Sequence, residues 1–268
     1  MDLTSIGGIV LGLASLVVAF VLEGGQLGSL FQITAAIIVF GGTFGAVIVS
    51  FPMEQLKTVP SLLKIVFTSK PKEPLTMIDE LIKLATIARR EGILALEEQI
   101  EDAKDEFFKN GIRLVVDGVD PELVRSILET ELTYIENRHE AGAGVLEAAG
   151  GYSPTLGIIG TVMGLVHVLG NLSDVTKLGP LIATAFIATL YGVSSANLLY
   201  LPMANKLKIR SKQEILTREI MIEGILSIQA GENPNILGQK LKAFLAPKER
   251  EAKVKVKAAA GEANVETA

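Results

Sequence analysis

Hydroxyl side chains lie inside two long stretches of this sequence that contain no charged residue. Thr161 lies near the middle of one stretch, and Thr184 and Thr189 lie in the other, followed by Ser194 and Ser195. Hydroxyl and carbonyl oxygens suit a hard monovalent cation, but they carry no charge to hold one. In a helix, each hydroxyl can instead bond a carbonyl of the preceding turn. The pattern leaves both alternatives open: local bonding, or a polar path lined by Thr161 and Thr189.

The sequence contains no motif of a known catalytic site. A P-loop, a G-x-S-x-G segment and an H-E-x-x-H segment are all missing from it, and it has no cysteine. The two histidines, His139 and His167, have no candidate ligands nearby in the sequence. His167 has apolar neighbours, which is more typical of a packing residue than of a proton relay. We predict a protein that is not an enzyme, with no cofactor, no resident metal and no nucleic-acid partner.

The distribution of charge predicts the elements that position these hydroxyls. Four stretches of 20 residues or more lack Lys, Arg, Asp and Glu: 3–22, 24–53, 148–173 and 178–205. About 20 apolar residues cross a ~30 Å hydrocarbon core. The sequence therefore predicts an all-α integral membrane protein with four transmembrane helices and a helical cytoplasmic domain. The predicted spans are 3–22, 29–51, 153–172 and 180–203.

The basic residues predict how the spans are oriented. Of the 25 Lys and Arg residues, 12 lie in residues 52–147 and 12 lie after residue 203. Positive charge near the ends of spans marks the cytoplasmic side. We therefore expect both large polar segments and both termini in the cytoplasm, with only short loops at 23–28 and 173–179 on the outer side.

The polar segments read as helices. One helix is predicted to begin at Pro74, and a second to cover 93–109 and to end at Asn110-Gly111. A third begins at Asp120-Pro121 and continues into span three without a clear break. The predicted domains are spans one and two (1–51), a cytoplasmic helical insert (52–150), spans three and four (151–203), C-terminal cytoplasmic helices (204–246) and a flexible tail (247–268).

Spans three and four contain small residues and prolines at positions that can affect helix packing and bending. Gly160 and Gly164 are spaced by four residues, a pattern that lets helices in lipid approach closely. Pro154 and Pro202 stand at the predicted cytoplasmic ends of the two spans. Because proline removes a helical hydrogen bond and favours a bend, both are candidate hinge residues. Ordinary punctuation of a helix end is the alternative.

Five sequence motifs carry a specific resemblance. They are YSPTLGIIGTVMGLV, LGPLIATAFIATLYG, LPMANKLK, REIMIEGILSIQAGENP and IARREGILALEEQIED. Together they resemble the flagellar stator A subunits (MotA and PomA) of the MotA/TolQ/ExbB group, over about residues 1–247 and in the order of the four spans. TolQ and ExbB proteins have three spans in a different order and fit less well.

The resemblance implies an ion-driven motor in the inner membrane of a bacterium. Five A subunits surround two B subunits of the MotB/PomB type, and the single membrane helix of each B subunit carries the ion-binding aspartate. Ion flow then turns the homo-oligomeric A ring around B. The cytoplasmic insert passes torque to the rotor protein FliG.

The resemblance also implies roles for particular residues. The family's essential prolines correspond to Pro154 and Pro202. Its rotor-contacting arginine and glutamate, in the pattern R-x-x-G-x-x-x-x-E, correspond to Arg89 and Glu97. Arg90 and Glu98 lie beside them and share the predicted role. Without the resemblance, these four charges would be read as an ordinary solvated helix face.

The sequence leaves alternatives open for the transported ion and for the class of function. Sodium-type stators resemble this chain at Thr161 and Thr189, which favours Na⁺, with H⁺ as the alternative. The spans contain no Asp or Glu, although intramembrane carboxylates usually mark an ion path. Either the chain moves no ion and is a structural oligomer, or another polypeptide supplies the carboxylate. An energiser of outer-membrane transport or secretion is the other function considered.

Overall fold

The fold is mainly helical in the part of the chain that the computed structural model describes, which is residues 2–68, 74–101, 103, 105–173, 175–247 and 250, without the side chain of Lys177. These residues form no strand, so the predicted all-α class is confirmed. The α-helices are α1 Leu3–Leu22, α2 Ile33–Ala36, α3 Gly42–Ser50, α4 Met53–Leu56, α5 Val59–Thr68, α6 Pro74–Glu91, α7 Leu96–Gln99, α8 Glu106–Val116, α9 Pro121–Leu169, α10 Val175–Ser195, α11 Leu201–Gln229 and α12 Pro234–Lys242. Wide π-helical turns occur at Ile37–Gly41 and Ala196–Tyr200, and 3₁₀ turns at Leu27–Leu30 and Ile93–Ala95.

The chain divides into two compact units. We call residues 1–70 and 137–211 the span unit, and residues 71–136 and 212–268 the insert unit. Helices α9 and α11 each contribute residues to both units. The predicted division into five domains stays a prediction. The predicted tail lies outside the described residues, apart from residues 247 and 250.

Four helical segments in the described residues are long and apolar enough to cross a membrane: Leu3–Leu22, Leu27–Ser50, Pro121–Leu169 and Leu178–Gln229. Four spans were predicted in these places. The third ends at Leu169 rather than at 172, because the chain turns at Gly170 and the Asn171 side chain donates to His167 O at 2.8 Å. In α1 no residue is buried, as expected for a helix that faces lipid.

The start of α1 is fixed by one carboxylate in the span unit. Asp2 accepts from Thr4 N at 3.2 Å and so caps the helix, and it pairs with Lys206 at 2.5 Å and Arg210 at 2.6 Å. The hydrogen bond from Lys206 is the main cause that holds the pKa of Asp2 below its ordinary value. These contacts tie the beginning of span one to the beginning of α11.

The insert unit has its own apolar core. It is formed by α6, α8, α12, the first part of α9 and the last part of α11. Burying a side chain such as Phe108 contributes roughly 1.5–3 kcal/mol, so this core stabilises the unit without help from lipid. The most deeply buried large side chains are Phe108, Ile78, Leu81, Leu96, Ile100, Ile112, Leu128, Ile220, Met221, Ile225, Leu237 and Leu241.

The prediction of one helix over 93–109 was wrong. The chain forms a 3₁₀ turn and the short α7, and then begins α8 at Glu106, where Asp105 accepts from Phe108 N at 3.4 Å. Gly111 lies inside α8 and is buried. A Cβ at this position would lie 2.5 Å from Ile225 Cδ1, so the glycine serves close packing rather than helix termination.

The ends of the longer helices follow the expected signals. Asp120 Oδ1 accepts from Glu122 N at 3.0 Å, and Pro121 is the first residue of α9, as predicted. The helix is then continuous for 49 residues. At the other end of the chain, α11 stops before Gly231, and Pro234 begins α12.

Candidate functional site

Helices α9 and α10 approach closely along a seam of small residues in the span unit. A Cβ added to Gly192 would lie 2.5 Å from Ser153 O, and one added to Gly157 would lie 2.8 Å from Ala188 O. At Gly160, a Cβ would lie 2.6 Å from the Ala188 Cβ. Two of these contacts are with backbone carbonyls, which cannot move aside as side chains do. The seam therefore sets the distance between the two helices.

Thr161 and Thr189 meet across this seam. Thr161 Oγ1 lies within hydrogen-bond distance of Thr189 Oγ1, and 3.1 Å from both Gly157 O and Ala185 O. Thr189 Oγ1 lies 3.4 Å from the same Gly157 carbonyl. The structure thus brings the two predicted pathway residues together. The bond from Thr161 to Gly157 is the local one, so the alternative of local bonding is observed for this hydroxyl, while the polar path stays a prediction.

The other hydroxyls of α10 follow different patterns. Thr184 donates to Pro180 O at 2.9 Å and Ser194 donates to Leu190 O, so both bond only their own helix. Ser195 is buried and shares a 2.7 Å hydrogen bond with Ser153 of α9. Sequence reasoning did not single out Ser153. Its spacing of four residues from Gly157 was the available signal.

The cluster around Thr161 offers hydroxyl and carbonyl oxygens without a formal charge. Among the described residues, no group of three or more His, Asp or Glu side chains could hold a metal ion. The cluster can therefore complete the shell of a cation that is held by a charge from elsewhere, but cannot attract one alone. His167 is exposed on α9 and takes no part in the hydrogen bonds of this cluster.

Both candidate hinge prolines lie within continuous helical backbone. Pro154 is inside α9, with helix on each side. Pro202 is the second residue of α11, which directly follows the π-turn Ala196–Tyr200. Proline has no N–H to donate to the carbonyl four residues earlier, here that of Leu198, and a wider turn accommodates the missing donor. The simple role of ending a helix is therefore wrong for both, while their role as hinges stays a prediction.

The four predicted rotor-contact charges lie at one corner of the insert unit. Arg89 and Arg90 are in the last turn of α6, and Glu97 and Glu98 begin α7. All four side chains are exposed. Within the described residues, none of them forms an ion pair, whereas Arg125, at the start of α9, lies 3.7 Å from Glu223. The corner thus presents exposed charges of both signs that form no ion pair with other described residues.

Sequence comparison places the chain in a family. A model of the MotA/TolQ/ExbB proton channel family matches residues 99–220, and a model of the motility protein A N-terminal region matches residues 6–92. Motility protein A of Bacillus subtilis is 44% identical over 254 residues, which are 93% of each chain. This chain belongs to the MotA/TolQ/ExbB proton channel family.

Solved structures agree with the sequence comparison. The chain resembles the flagellar MotAB stator complex from Bacillus subtilis at 42% identity and a TM-score of 0.87, over 92% of this chain and 98% of that one. It resembles MotAB of C. jejuni at 32% identity and a TM-score of 0.88, over 92% and 97%. The relatives are motility proteins of an ion-channel family, so the predicted stator class is confirmed and the energiser alternative is not supported.

Proposed function

We propose that this chain is the A subunit of a flagellar stator and forms a transmembrane cation channel with a B subunit of the MotB/PomB type. The observation that carries the proposal is the Thr161–Thr189 oxygen cluster in spans that contain no Asp or Glu. Such a cluster needs a carboxylate from a second polypeptide, and the aspartate of the B-subunit helix supplies it. Five A subunits surround two B subunits in the assembly.

The complex lies in the bacterial inner membrane. Both termini of this chain, the 52–150 insert and the 204–246 helices face the cytoplasm in this proposal, which the basic residues that follow spans two and four support. Ion flow toward the cytoplasm turns the A ring around B. The transported ion is Na⁺, because the hydroxyl and carbonyl oxygens at Thr161 replace part of its water shell; H⁺ would need only the carboxylate.

Torque leaves the complex through the exposed corner of the insert. Arg89, Arg90, Glu97 and Glu98 contact FliG, and each exposed ion pair contributes only ~0–1 kcal/mol and is screened by salt. Loss of one charge should therefore weaken the contact without abolishing it. The contact between chain and rotor then consists of several individually weak pairs.

Rescue of swimming tests the proposed function. The chain and the B subunit encoded with it are expressed in a flagellated bacterium that lacks its own stator genes. We expect swimming to return only when both chains are present, and a tagged B subunit to co-purify this chain from the membrane. A complex that forms but restores outer-membrane uptake instead of swimming would identify an energiser, and chains that do not associate would refute a two-subunit channel.

Replacement of the hinge prolines should separate assembly from rotation. In Pro202→Ala a restored N–H can donate to the Leu198 carbonyl, which removes the reason for the π-turn before it. We expect co-purification of the B subunit to stay normal and swimming to be lost, and the same for Pro154→Ala. Pro180→Ala, which changes a proline near the start of α10, is the matched control and should swim. Normal swimming of both hinge variants would show that neither proline is a hinge.

A further inference from the structure

An apolar pocket of about 440 Å³ opens in the insert unit beside the rotor-contact charges. Its walls come from the end of α6, the turn that follows it and the end of α11. Two glycines with left-handed backbone, Gly92 (φ +90°) and Gly231 (φ +70°), form part of its edge, and other residues rarely adopt this conformation. The apolar lining consists of Ala85, Ala88, Ile93, Leu94 and Ile228.

Leu94 is the most exposed apolar side chain of this lining. It is 73% exposed, although the insert unit has a well-formed core in which neighbouring residues such as Leu96 are fully buried. An exposed leucine at the mouth of an apolar pocket loses contact with water when a partner binds, and this loss favours binding. The pocket is therefore suited to contact another apolar side chain.

The rim of the pocket carries charge of both signs. Arg89 and Glu91 line it and are exposed, and no other described residue forms an ion pair with either of them. Glu232 also lines it; its Oε1 lies 3.3 Å from Lys240, and its Oε2 is buried without a hydrogen-bond partner and so is not exposed at the rim. The free charges at the rim are thus one cation and one anion, and a matching segment presents an acidic and a basic residue on either side of an apolar one.

We propose that this pocket receives an aliphatic side chain from FliG, flanked by residues of both charges. The proposal rests on the proposed function and adds to it a second kind of contact. The charges at Arg89 and Glu97 orient the two surfaces, and the aliphatic side chain supplies affinity that salt does not screen. Apolar anchors inside a polar rim are the usual form of a strong contact.

Binding measurements separate the two contributions. The purified complex of this chain with its B subunit is immobilised, and the Kd for FliG is measured at salt concentrations of about 0.1 M and about 0.5 M, where screening differs strongly. Ala88→Leu fills the pocket without changing charge, and we expect it to raise the Kd about tenfold or more at both concentrations, the size expected for an interface anchor. Arg89→Gln should raise the Kd mainly at the lower concentration.

The control variant places the same change on another face of the helix. Thr86 is exposed on α6 and does not line the pocket, so Thr86→Leu should leave the Kd within about twofold, as for a surface substitution. Equal membrane yield and equal B-subunit co-purification confirm that both leucine variants fold. A Kd that Ala88→Leu leaves unchanged overturns the pocket but not the stator. A complex that does not bind FliG at all overturns the pocket and the proposed rotor contact together.

Crosslinking identifies the occupant in cells. The chain has no cysteine, so Leu94→Cys creates a single thiol that accepts a benzophenone probe. We expect a photoproduct with FliG from this position and none from Thr86→Cys. A product formed only with a second copy of this chain, or only with another protein, would overturn the assignment of the occupant to FliG.

Discussion

Gly192→Ala is expected to abolish swimming, whereas Gly179→Ala in the same helix should leave swimming normal. A Cβ at position 192 would lie 2.5 Å from Ser153 O and 3.1 Å from Gly157 Cα. A Cβ at position 179 meets nothing within 4 Å. The two variants make the same chemical change, so they differ only in what the new methyl group contacts.

The methyl group at position 192 acts on the candidate site through the distance between two helices. Its contacts are backbone atoms of α9, so the overlap is relieved only when α10 moves away from α9. Overpacking of this kind costs typically 1–3 kcal/mol. The same movement stretches the Ser153–Ser195 hydrogen bond, now 2.7 Å, and pulls the Thr161 and Thr189 hydroxyls apart.

Two measurements check this prediction for Gly192→Ala. Swimming speed reports function, and the amount of chain that co-purifies with the tagged B subunit reports assembly. We expect Gly192→Ala to insert into the membrane but not to support swimming. Full swimming by Gly192→Ala would mean that the seam is looser than the structure indicates. Failure of Gly179→Ala as well would show a general intolerance of alanine in α10.

The spans could be predicted because the signal for them is local. A run of about 20 residues without charge is long and apolar enough to cross the hydrocarbon core, and α1 and the segment Leu27–Ser50 lie where this local signal predicted them. The ends of the helices in the insert were harder to predict. Asn110-Gly111 carries a local turn signal, but in the structure Gly111 packs against Ile225, more than 100 positions away. Tertiary packing overrode the local preference, and only the fold reveals the partner.

The candidate site could also be predicted only in part. Thr161 and Thr189 could be named from the sequence, because hydroxyls are conspicuous among apolar residues. The residues that bring them together were less visible: Gly192 was not singled out, and neither was Ser153. Their importance depends on the rotation of α9 against α10, which fixes the residues that face the seam. The spacing of Gly160 and Gly164 indicates that a close approach exists, but not which helix approaches.

Thr161→Ala should raise the sodium concentration needed for half-maximal swimming speed, or abolish swimming. The substitution removes a hydroxyl that contacts Thr189 Oγ1 and the carbonyls of Gly157 and Ala185. The transfer of Na⁺ from water into a site of low dielectric constant costs free energy, unless several oxygens replace the water molecules of its shell. Thr161→Ser keeps the hydroxyl and should do less harm. Thr184→Ala, which removes a hydroxyl bonded only to its own helix, should leave the sodium dependence unchanged.

The same experiment distinguishes the two ions. Swimming speed is recorded against external sodium at fixed pH, with and without a protonophore. If Na⁺ drives the motor, speed follows sodium in the unaltered chain and the Thr161→Ala curve shifts to higher concentration, by about tenfold for the ~1.4 kcal/mol that one weak ligand contributes. If speed is independent of sodium and collapses with the protonophore, the motor is driven by protons. Thr161 would then only join α9 to α10 through Ala185 O and Thr189, because a proton needs a titratable carboxylate and no shell of neutral oxygens.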